Sequence, residues 1–153
     1  MDEVTRQNVL DLLNGDWAQY VPRFQQLDPA AQAAFLEKQG YKRLADLLAH
    51  IAAWWERGLQ NIQTYQRDPA VRQPEVDVDR FNAHAVEMVR DVDDLEQIRR
   101  FESARLKFVA SVQALSDADF KDERILNQLR WELFNHLEEH KITITTDEPG
   151  WIG

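Results

Sequence analysis

Two histidines stand four residues apart in Asn135-His136-Leu137-Glu138-Glu139-His140. On a helix that spacing puts both imidazoles on one face, with Cβ atoms about 6 Å apart, near enough for two nitrogens to meet one divalent ion. At about 100° per residue, His136 and His140 share the sector of Leu129 and Leu133, so the rings are expected to face the interior. Polar rings on an apolar stripe need partners. The residues alone leave two readings open. Either the histidines are hydrogen-bonded to carboxylates or water inside the fold, or they ligate a metal together with a third interior donor. His50, at the edge of another apolar stripe, is the candidate for that donor. Three protein ligands with one position left open is the pattern of catalytic zinc sites. Imidazole-only ligation suits zinc, nickel, copper or iron better than magnesium or calcium.

Neighbouring residues extend the possible chemistry. Asp46 precedes His50 by four positions and Glu132 precedes His136 by four, so each carboxylate is placed to orient an imidazole, or else is simply a solvated helix charge. Glu139 flanks the histidine face and is the candidate general base for a metal-bound water. His84 reads as a partly exposed structural residue. Trp54 and Trp55 cannot both face one core, which leaves one of them to line a pocket or an interface.

Four amphipathic stripes must position these groups. In the first, Leu10, Leu13, Trp17, Tyr20, Val21, Phe24 and Leu27 keep helical phase, which predicts one long helix kinked near Pro22. Asp28-Pro29 opens a short helix that Gly40 closes. A second long helix is expected from about 42 to 66, with Leu44, Leu47, Ile51, Trp54, Trp55, Ile62 and Tyr65 on one side. A loop over 70–79 and a short helical piece around 81–90 follow. Asp93-Asp94 offers N-cap chemistry, with Gln97 near a capping-box position, for a third stripe of Leu95, Ile98, Phe101, Phe108, Val112 and Leu115. The fourth begins near Asp122 and carries Leu126, Leu129, Leu133, Leu137 and Ile144. No segment alternates with period two. The expectation is an all-α four-helix bundle with a long crossover connection and short extra helices, one domain over 1–145 with an irregular tail over 146–153 in which Trp151 docks.

Composition narrows the function classes. The chain has 153 residues, no cysteine and a net charge of −9, so disulfides, thiolate metal sites and cysteine nucleophiles are excluded. The acidic balance repels nucleic acid and anionic lipid, and no basic patch offsets it. Its five glycines form no phosphate-binding loop or nucleophile elbow. An acidic start at Met1-Asp2-Glu3 and the lack of a long apolar run point to a cytoplasmic protein that neither binds nor crosses a membrane.

The segments Asp46-Leu47-Leu48-Ala49-His50-Ile51-Ala52-Ala53-Trp54 and Asn135 to His140 resemble the two signatures of the DinB/YfiT-like superfamily. Asp79-Arg80-Phe81-Asn82-Ala83-His84-Ala85 is similar to a stretch in the branch that includes the colibactin self-resistance proteins. The resemblance implies a four-helix bundle, often dimeric, in which His50, His136 and His140 hold a divalent metal, zinc or nickel first among them. It further implies a metal-dependent enzyme of transferase or hydrolase type acting on a small thiol-bearing or electrophilic molecule. The alternatives are a non-catalytic bundle that sequesters a small molecule and an oligomeric interaction protein. Surplus large apolar groups at Trp54, Trp55 and Trp131 give the expected homodimer a physical basis.

Overall fold

The computed structural model describes residues 3–72 and 75–142, and every regular element among them is helical. Helix α1 (Arg6–Asn14) begins at Thr5, whose hydroxyl accepts from Asn8 N, and stops at Gly15. Gly15 adopts φ −101° and ψ −96°, where a Cβ would stand 2.8 Å from the Asp11 carbonyl oxygen. Trp17 N then reaches back to Leu12 O at 3.1 Å, and the chain resumes as α2 (Tyr20–Gln26). The single kinked helix expected over this stretch is therefore two helices parted at Gly15. Pro22 lies in the first turn of α2, where a missing backbone donor costs no helical bond.

Caps recognised in the sequence set the other boundaries. Asp28 accepts from Ala31 N to start α3 (Pro29–Gln39), and Gly40 ends it at φ 86°. Helix α4 (Leu44–Arg67) has its Ala45 N capped by Asp94 Oδ1 at 2.9 Å, while Arg43 holds the carbonyls of Val89 and Val92. Helix α5 (Val78–Glu87) starts three residues before its expected position. Asp93 caps α6 (Asp94–Ala114) through Glu96 N, and Gln97 is buried in its first turns. Leu95 is 77% exposed and does not belong to the third stripe. A 3-10 turn (Asp119–Lys121) leads to Asp122, the cap of α7 (Glu123–Leu129), which runs through a π-helical turn (Arg130–Asn135) into α8 (His136–His140). Ile144 and the expected tail with Trp151 lie outside the described residues.

Helix α4 is the centre of the packing, set against α5, α6, α7 and the π turn, while α1 closes on α6 and the π turn. The core between them is aromatic. Trp17 meets Trp55 edge-on at 4.9 Å between centroids, Trp55 stacks on Phe101 at 5.1 Å, and Tyr20 and Phe108 complete the cluster. Truncating any one of these to alanine costs about 3–5 kcal/mol. Trp54 is buried too, but against Phe81 of α5. Of the three tryptophans expected to drive dimerisation only Trp131 is exposed. No helix among the described residues is long and apolar enough to cross a membrane.

Candidate metal centre

The π turn builds the site. An α-helix would bond His136 N to Glu132 O, whereas here His136 N donates to Trp131 O, one residue further back. Glu132 O is thereby released, and it accepts from Trp55 Nε1 at 2.9 Å and from His136 Nδ1 at 3.1 Å. Leu133 O accepts from Trp17 Nε1 at 3.1 Å. Buried carbonyls need such partners, so two core tryptophans help to sustain the π geometry. The extra residue in this turn displaces the later helix face by about 100°. His136 and His140 are buried, as expected from the sequence, but they continue the polar row of Gln128 and Glu132 and leave the Leu129–Leu133 stripe. That row is contiguous: Gln128 Nε2 donates to Glu132 Oε2 at 2.7 Å, and Glu132 Oε1 lies 3.5 Å from His136 Nδ1.

From α4, His50 completes a trio. The three rings are 6%, 5% and 8% exposed for His50, His136 and His140, with centroids 5.7 Å (50–136), 4.9 Å (50–140) and 5.8 Å (136–140) apart. Rings sharing one tetrahedral ion at about 2.1 Å would have centroids about 5.2 Å apart. Among the described residues no three His, Cys, Asp or Glu side chains already stand at metal-ligating spacing, so ligation needs the rings to move.

Each outer nitrogen faces an oxygen. His50 Nδ1 is 3.1 Å from Asn82 Oδ1, and that oxygen is fixed as an acceptor by Trp54 Nε1, which donates to it at 2.7 Å. His136 Nδ1 meets a backbone carbonyl, and His140 Nδ1 meets Gln39 Oε1 at 2.6 Å. In this arrangement each Nδ1 carries the proton, so each Nε2 presents a lone pair. His50 Nε2 and His140 Nε2 are 3.1 Å apart. Two lone pairs at that distance repel unless a cation stands between them. A half-turn of the Gln39 amide gives the alternative, in which His140 Nε2–H donates to His50 and no cation is needed. Burial lowers the pKa of all three rings. His136 falls to about 4 through burial and then the charge of His50, and His140 to about 3 through burial and then His50 and His136. All three are neutral imidazoles at pH 7, the protonation state that binds metal.

The remaining sequence candidates separate. Glu132 is 1% exposed, and burial raises its pKa to about 8 against the opposing effects of the Gln128 hydrogen bond and the Arg57 charge. Its backbone carbonyl, more closely than its carboxylate, orients His136. Asp46 does not orient His50; it pairs with Arg43 at 2.8 Å. Glu139 is exposed, with its carboxylate 3.9 Å from His140 Nε2. Tyr41 packs 5.5 Å from the His50 ring, its pKa raised to about 12 by burial and then by Asp46 and Glu139. His84 is exposed and outside the trio. Gln39 was not singled out in the sequence, and Asn82 appears there only within the 79–85 stretch, with no role as a histidine partner. A cleft of about 520 Å³, lined by Trp54, Trp131 and Glu132 together with Arg72, Arg124 and Gln128, includes none of the three histidines.

No family model, curated protein or solved structure matches the chain.

Proposed function

We propose that His50, His136 and His140 bind one divalent transition metal, zinc or nickel, in a DinB-like four-helix bundle that acts on a small thiol-bearing or electrophilic molecule. The observation that supports the metal is the pair of facing nitrogens. Two ligands of a tetrahedral ion at about 2.1 Å have nitrogens about 3.4 Å apart, close to the 3.1 Å between His50 Nε2 and His140 Nε2. Metal-bound histidines characteristically donate their outer N–H to an oxygen, and all three outer nitrogens here face one.

His50, His136 and His140 would hold the ion, which would supply Lewis-acid activation of a bound water or thiol. In this reading the chain's own groups divide the remaining work. Asn82, Glu132 O and Gln39 hold the imidazoles in one tautomer. Glu139, at the exposed side of His140, would serve as the proton acceptor beside the site. Tyr41 stays a neutral phenol at pH 7 and offers a hydrogen-bond donor beside His50. Trp54 and Trp131 give an apolar wall to the cleft that they line with Glu132. The reaction is of transferase or hydrolase type, and the cysteine-free sequence suits a reducing cytoplasm. Exposed Trp131 is the apolar anchor of the proposed homodimer.

Metal content of tag-free protein, followed by calorimetry with zinc and nickel, tests the reading. Alanine at His50, His136 or His140 should each weaken binding at least a hundredfold, and alanine at His84 less than threefold. A parent protein that binds neither metal would return the trio to the hydrogen-bonded arrangement with the Gln39 amide turned.

A further inference from the structure

A second cleft, of about 620 Å³, opens between α4, α5 and α6, and none of the three buried histidines lines it. Its size is within the range of small-molecule sites, about 300–1,000 Å³. Small side chains create it, since Ala49, Ala52 and Ala53 of α4 face Ala104 of α6 across the floor. Gln97 also lines the cleft. It is 3% exposed, and its Oε1 accepts no hydrogen bond from the protein. A buried acceptor left unpaired costs about 1–3 kcal/mol, which a ligand donor would recover. The rim carries net positive charge, opposite in sign to the chain as a whole. Arg57, Arg100 and Lys107 stand around it with Glu56 as the one carboxylate, in a chain of net charge −9. Arg100 is paired with Glu96 at 3.0 Å, while Lys107 has no ion-pair partner among the described residues.

We propose that this cleft binds a small amphipathic anion. Its apolar body lies on the alanine floor, its acidic group faces Lys107 and Arg100, and an N–H or O–H of the ligand donates to Gln97 Oε1 after a half-turn of the amide brings that shielded oxygen to the cleft. The occupant follows from complementarity: a wholly apolar ligand would leave Gln97 unpaired, and a cation would meet the basic rim. The site is independent of the metal centre, so it stands or falls separately from the reading above.

Two fluorescent probes test it on the full chain in the presence of a chelator. Anilinonaphthalene sulfonate has an apolar body, one N–H and one sulfonate, and phenylnaphthylamine is the same body without the sulfonate. Native protein is expected to bind the sulfonate at one site per chain. Gln97→Leu should weaken both probes about three- to tenfold, the range of one lost hydrogen bond. Lys107→Glu should weaken the sulfonate about tenfold and change the neutral probe less than twofold. Ala53→Trp, which fills the floor, should abolish both. Thermal melting of each variant confirms that the native fold is being titrated. If Ala53→Trp fails to fold, the other two variants decide, since Lys107 is exposed and Gln97→Leu removes an unpaired acceptor. Unchanged affinity of Gln97→Leu and Lys107→Glu for both probes overturns the proposal. So does an equal loss of both probes with Lys107→Glu, or conversion of a dimer to a monomer by Ala53→Trp, which would assign the cleft to a second copy of the chain.

Discussion

Replacing Glu132 by glutamine should stabilise the protein, and by an amount that grows with pH. The carboxyl is 1% exposed, and its folded pKa is raised from 4.5 to about 8. A folded pKa above the unfolded one means that the native state holds the proton more tightly. Its stabilising contribution is complete below pH 4.5 and is lost as pH rises towards 8. At about 1.36 kcal/mol per unit, wild type should lose about 4 kcal/mol from this group between pH 5 and pH 8.5, and glutamine, which does not titrate, loses none. Relaxation around Arg57 will reduce the figure, so a difference of about 2–4 kcal/mol is the expectation. Urea unfolding of both proteins at the two pH values, in chelator, measures it. A stability difference that is the same at pH 5 and pH 8.5, or a variant that is less stable at both, would show that Glu132 is held as a carboxylate and would refute the reasoning.

Three further outcomes follow from the same packing. In chelator the Glu132→Gln protein, where no opposing carboxyl titrates, should weaken on acidification, because His136 and His140 have folded pKa values of about 4 and about 3 against 6.5; their stabilising contribution is whole above pH 6.5 and falls away below it, by about 2 kcal/mol or more at pH 5, read by denaturant midpoints. Gly58→Ala places a Cβ 2.6 Å from Glu132 Cγ, so it should destabilise by about 1–2 kcal/mol after its helix-propensity gain, yet become stabilising when Glu132 is also alanine, a sign change that a double-mutant cycle would detect. Trp55→Phe removes one of the two donors to Glu132 O and should lower stability by about 0.5–1.5 kcal/mol, measured by thermal melting, whereas an unchanged midpoint would mean that His136 Nδ1 alone satisfies the carbonyl.

The sequence carried the helix boundaries wherever a cap had an unambiguous chemistry. Asp28-Pro29, Gly40, Asp93 and Asp122 each mark an end in the structure. It was misleading at Gly15, because the stripe Leu13, Trp17, Tyr20 keeps its phase across a real break: the turn there happens to restore the rotation that a continuous helix would have had. Leu95 failed for the opposite reason. Its phase was acceptable, but the first turn of α6 lies past the edge of the core, so a leucine there is exposed and Gln97 is turned inward instead. His136 and His140 are buried as expected, but on a different face from the Leu129–Leu133 stripe that the α-helical period assigned them, because the π turn intervenes, and His50, at the edge of its stripe, is buried as well. Their tautomer was not legible, since it depends on Asn82, Gln39 and a backbone carbonyl contributed by three different parts of the chain. Nor does any local signal announce the π turn, which depends on indole donors at Trp17 and Trp55, more than 70 residues away.

Because the π turn holds one residue more than its neighbours, its length is the kind of quantity that a gene changes in a single step. Deleting one codon anywhere within 130–135 would leave every histidine in place and restore an ordinary helix, yet turn His136 and His140 by about 100° away from His50. The inventory of ligands would look intact in an alignment of letters. In related chains the informative comparison is therefore the count of residues between the Leu129 position and the His136 position, since an insertion or deletion there separates chains able to assemble the trio from chains that merely retain its residues.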